Sequence, residues 1–68
     1  MGRAERTYCI YAKARDISGL RDYAVSQKTG VSSSTLTDWK KGRYTPKADK
    51  LVRIAKLLNI PVELFLEE

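Results

Sequence analysis

Apolar side chains recur along this chain at helical spacing, and no stretch reads as a strand. The clearest case is Leu51, Ile54, Ala55 and Leu58, which share one helix face while Lys50, Arg53 and Lys56 lie elsewhere around the axis. This pattern predicts a helix from about Lys47 to Leu58 that carries much of the core. Leu36 and Trp39, three apart, predict a shorter helix from Ser33 to Lys40, with Ser33, Ser34, Thr37 and Asp38 on its outer side. Glycines bracket that helix at Gly30 and Gly42, and Ser32 is placed to cap its first turn.

The remaining segments follow the same logic. Ile10, Ala14 and Ile17 form a candidate inner stripe for a first helix over Thr7–Asp16, with Tyr8 and Tyr11 beside it and Cys9 as packing filler. Ser18-Gly19 ends it. A second helix is expected from about Arg21 to Lys28, where Val25 and Thr29 are four apart, and Tyr23 is expected to pack. Asn59 can take a left-handed cap, and Pro61 opens a last short helix over Val62–Leu66. The first six residues lack periodicity and read as a flexible arm in which Arg3 and Arg6 can follow a nucleic-acid backbone. The expected fold is therefore all-α: a compact five-helix bundle, one domain over residues 1–68, with a helix-turn-helix formed by helices 2 and 3.

Composition narrows the chemistry. The 68 residues include one cysteine and no histidine, which removes intrachain disulfides, the usual zinc sites and imidazole catalysis. Ser32–Ser34 with Lys40 offers no desolvated lysine and no oxyanion site, and Asp16, Asp22, Asp38 and Asp49 lack metal-ligand spacing. No enzyme and no cofactor are expected. The net charge of +5 favours an acidic partner, and the basic excess lies between residues 21 and 50. No apolar run approaches a membrane span, and a reduced, cytoplasmic setting fits the cysteine usage.

The segment from Asp22 to Arg43, with Val25, Gly30, Val31, Ser32, Leu36, Trp39, Gly42, Arg43 and Pro46 in place, resembles the helix-turn-helix of the phage-repressor-like, or XRE, family. The similarity continues through Leu51, Ile54-Ala55, Leu58 and Val62–Leu66. It implies a sequence-specific regulator of transcription, acting as a repressor on double-stranded DNA, with the helix 33–40 in the major groove. Residue by residue, it implies base reading by Ser33, Ser34, Thr37 and Asp38, whose hydroxyls donate or accept and whose carboxylate only accepts. It further implies phosphate contacts from Lys40, Lys41, Arg43 and Tyr44, with Arg21 and Lys28 reaching the same strand from the second helix.

Three positions depart from the family pattern. Asp22 stands where a phosphate-anchoring glutamine is common, which leaves that contact to Arg21. Ser26 replaces an alanine, and Pro61 a capping serine. Family members commonly bind as dimers, and the apolar end Val62, Leu64, Phe65 and Leu66 is the expected self-association surface. A different reading is a protein-interaction module, such as an antitoxin-like regulatory partner; a non-specific nucleic-acid binder is a third.

Overall fold

The computed structural model describes residues 2–66, which form five helices: α1 (Arg3–Ile17), α2 (Asp22–Thr29), α3 (Ser33–Lys40), α4 (Ala48–Leu58) and α5 (Glu63–Leu66). The expected four-residue stripe of α4 is buried in full. It packs against α2, α2 packs against α3, and α1 lies across both α3 and α5. No helix among the described residues is long and apolar enough to cross a membrane.

The core centres on Trp39, which is fully buried. Its ring stacks on Tyr11 at 4.9 Å between centroids and meets Tyr8 and Phe65 edge-on, each at 5.7 Å. Aromatic groups in these offset and edge arrangements add to the stabilisation from area alone. The indole N–H donates to Thr7 Oγ1 at 2.9 Å, and that hydroxyl in turn donates to the Arg3 carbonyl at 2.9 Å. Thr7 thus lets a polar indole nitrogen be buried without loss of its hydrogen bond.

This contact explains several departures from the periodicity of α1. Burial falls on Thr7 and Tyr11, with Ala4, Tyr8, Ile10 and Ala14 packed around them, and Ile17 is 87% exposed. Cys9 is exposed as well, so it fills no gap in the core. Residues 3–6 are helical, which corrects the expectation of a flexible arm; Met1 lies outside the described residues. The Gly2 backbone N–H donates to Glu5 Oε1 at 3.0 Å, and Arg3 Nη2 donates to the Phe65 carbonyl at 3.2 Å, tying the start of α1 to α5. Glu5 also lies against Gly42, so the first turn of α1 supports the loop that follows α3.

Asp22 points inward. Its Oδ1 accepts from Arg15 Nη1 and from the Tyr11 hydroxyl, both at 2.7 Å, and the Arg15 guanidinium lies 5.5 Å from the Tyr11 ring centroid. The carboxylate is therefore a brace between α1 and α2, neutralised within the fold. Burial, followed by the hydrogen bond to Asp22 and that group's charge, pushes the Tyr11 phenol well above its ordinary range. Phe65 has no exposed surface, so it is not free for self-association as expected, and Val62 is half-buried against the core. Tyr23, expected to pack, is 73% exposed.

Two stability measurements test this account. Thr7→Val removes the indole acceptor; a buried donor without a partner costs about 1–3 kcal/mol, so the melting temperature should drop by roughly 5–15 °C for a domain of this size. Thr7→Ser, which keeps the acceptor, should lose less than half as much in the same circular-dichroism melts. Because the folded state holds the Tyr11 proton more tightly than the unfolded chain, this stabilisation is fully present below about pH 10 and declines as pH rises beyond it. Urea midpoints at pH 7 and pH 10.5 should show a smaller alkaline drop in Tyr11→Phe than in the unsubstituted protein.

Candidate nucleic-acid interface

The α2–α3 turn is closed by three local devices. Gly30 adopts φ 77° and donates its N–H to the Ser26 carbonyl at 2.9 Å, a left-handed stop that a side chain would strain. Thr29 Oγ1 donates to the Val25 carbonyl at 2.7 Å and accepts from the Val31 N–H at 3.2 Å. Ser32 then caps α3 by accepting from the Thr35 N–H at 3.2 Å, with the two hydroxyls 2.9 Å apart. With Val31 fully buried between these devices, the turn fixes the direction in which α3 leaves.

Within α3, Leu36 and Trp39 face the core, while Ser33, Ser34 and Thr37 are exposed. Spacings of three and four bring these three hydroxyls onto one side of the helix. Asp38, at the edge of that side, is turned toward the following loop and its side chain is only 25% exposed. Its Oδ1 accepts from Arg43 Nη1 at 3.0 Å and its Oδ2 from the Tyr44 hydroxyl at 3.2 Å. The Arg43 N–H also donates to the Asp38 carbonyl at 3.0 Å, and Gly42 takes φ 76°, so the loop folds back on the end of α3.

Between Ser33 and Lys50 there are five cations and two carboxylates, and one of those carboxylates is already paired with Arg43. Lys40 and Lys41 are exposed, and among the described residues neither enters an ion pair. Tyr44 lines a shallow depression with Thr35, Pro46, Lys47 and Lys50. Lys47 and Lys50, part of the basic excess between residues 21 and 50, thus join the loop cations beside Tyr44. Lys47 directly after Pro46, and Lys50 one helical turn beyond Pro46, were the available signal.

Arg21 is exposed at the N-cap of α2, next to the exposed Tyr23. A tyrosine hydroxyl at that position is chemically able to donate to a phosphate oxygen. Lys28 is placed differently. It lines a separate depression with Arg53, Lys56 and Leu57, and Arg53 Nη1 approaches the Thr29 carbonyl at 3.5 Å beside the turn. The structure therefore groups Lys28 with the α4 cations and not with Lys40–Tyr44.

Comparison with known proteins gives a consistent picture. The helix-turn-helix family matches residues 12–65. An uncharacterized HTH-type transcriptional regulator of Haemophilus influenzae is 38% identical over 47 residues, which cover 69% of this chain and 19% of that protein. The chain thus spans about a fifth of the length of the curated relative it matches. No solved structure gives a significant match. With α2, the Gly30 turn and α3 all inside the matched span, the chain belongs to the helix-turn-helix family of the phage-repressor-like, or XRE, type.

Proposed function

We propose that the chain binds double-stranded DNA sequence-specifically and regulates transcription, acting as a repressor by laying α3 in the major groove of an operator. The observation that carries this reading is the division of α3: Leu36 and Trp39 anchor it, Ser33, Ser34 and Thr37 are presented outward, and its C-terminal end runs into Lys40, Lys41, Arg43 and Tyr44. The major groove, about 12 Å wide, admits one α-helix, and hydroxyls on its face can donate to or accept from base edges. The loop cations, with Arg21 at the start of α2, supply phosphate contacts that set register. Lys28 serves as a more distant phosphate contact together with Arg53 and Lys56.

The operator is bound as a dimer, with half-sites about 34 Å apart. The surface for this is smaller than the whole C-terminal end, because Phe65 is buried. Leu64 and Leu66 remain exposed, and Leu64 borders an apolar groove with Ile10, Ala14, Ile17, Leu58 and Ile60. Ile17 thereby moves from the expected inner stripe to the self-association face.

Duplexes selected from a random pool, titrated against a scrambled duplex at two salt concentrations, test the reading. A specificity ratio near one removes the operator, and no binding even at low salt favours a protein partner. Lys41→Ala should weaken binding to every sequence and reduce the salt slope by about 1, whereas Ser34→Ala should alter base preference and leave the slope unchanged. Leu64→Lys should shift the protein from dimer to monomer in sedimentation equilibrium without lowering its melting temperature; an unsubstituted protein that stays monomeric when bound to a palindromic duplex would sink the dimer.

A further inference from the structure

Asp38, Arg43 and Tyr44 form a closed cluster where α3 runs into its following loop. The family resemblance implies base reading by Asp38 and phosphate contacts by Arg43 and Tyr44, yet the three are bonded to each other. Each oxygen of the carboxylate receives one donor, and the carboxylate is mostly covered. A phosphate would present the same thing to this loop: an anion with acceptor oxygens, one for a guanidinium N–H and one for a hydroxyl. The Tyr44 hydroxyl has a single proton, and that proton is committed to Asp38. Arg43 is paired, whereas among the described residues Lys40 and Lys41 next to it enter no ion pair.

We propose that Asp38 is a specificity-determining residue that acts as an internal substitute for a phosphate: it holds Arg43 and Tyr44 on its own carboxylate and withholds them from DNA of the wrong sequence. This inference rests on the DNA-binding proposal. On a mismatched duplex, contact with the backbone is the main source of affinity, and exchanging one anion for another returns little to Arg43. Non-specific binding is thus held down at one of the loop cations. On the operator, base contacts made by Ser33, Ser34 and Thr37 seat α3 so that a phosphate lies close enough to draw Arg43 and Tyr44 off Asp38, an exchange that a loosely seated, mismatched duplex does not complete. Asp38 raises the ratio between the two without touching a base.

The test uses Asp38→Asn, which keeps the shape and one oxygen but removes the charge. Affinity for the scrambled duplex should rise about threefold to tenfold near 0.1 M salt, with the salt slope steeper by about 1, the amount expected from one additional phosphate contact. Affinity for the selected duplex should rise less, so the specificity ratio falls. In an Arg43→Ala background the gain should fall to that of Asp49→Asn, which changes net charge equally and whose own gain should be insensitive to Arg43.

Three results would overturn the proposal. A gain that persists undiminished in Arg43→Ala would show a net-charge effect only. A change of preference at one base, with scrambled binding unaltered, would return Asp38 to base reading. Weaker binding to both duplexes would make it a support for the loop. A separate measurement needs no DNA: in nitrogen-15 relaxation of the free protein, Asp38→Asn should loosen the Arg43 Nε–H, and an unchanged order parameter would reject the pairing. If the unsubstituted protein binds no duplex, the DNA-binding proposal fails on that result, while the relaxation measurement still decides whether Asp38 holds Arg43.

Discussion

Most of this molecule depends on finding a partner for one buried indole N–H. Trp39 lies on the inner side of α3, where its ring system fills the space between α1 and α5 through contacts with Tyr8, Tyr11 and Phe65. A tryptophan buries a large apolar area, but its nitrogen must be hydrogen-bonded for that burial to stabilise the fold. Thr7 supplies the acceptor, and to do so α1 must present Thr7 and Tyr11 to α3. The rotation of α1, the exposure of Ile17 and Cys9, and the docking of residues 3–6 are consistent with that one requirement.

The same requirement accounts for what could be read from the sequence and what could not. In α3 and α4 the apolar spacing coincided with the buried face, and the ends of α3 coincided with its cap and stop, so both helices were legible. In α1 the periodicity favoured Ile10, Ala14 and Ile17 because a threonine counts as polar, and only a tertiary hydrogen bond makes Thr7 a core residue. Tyr23 and Phe65 failed for a related reason: one aromatic on a short helix carries no periodicity that says which way it faces. Within the interface, the exposed hydroxyls of Ser33, Ser34 and Thr37 followed from the helix alone, whereas the bond from Asp38 to Arg43 and Tyr44 spans the loop and depends on the left-handed turn at Gly42.

Asp22 shows how a departure from a family pattern can be absorbed. Read in isolation, a carboxylate at the start of α2 is a charge facing a phosphate. In the fold it accepts from Arg15 and Tyr11 and joins α1 to α2. The negative charge also lies in the first turn of its helix, where the macrodipole favours it. The substitution thus exchanges a contact made outside the molecule for one made within it, leaving Arg21 and the neighbouring Tyr23 at the outer surface.

The separation of duties on α3 has a consequence for how such a chain can change over generations. Side chains that hold the helix in place, Leu36 and Trp39, share no atoms with those presented outward at Ser33, Ser34 and Thr37. Exposed positions away from caps and buried networks tolerate substitution with little loss of stability. Drift at the three hydroxyl positions is therefore nearly invisible to selection for folding and visible only to selection on the bound partner. A lineage built on this frame can explore new partners one residue at a time without passing through unfolded intermediates.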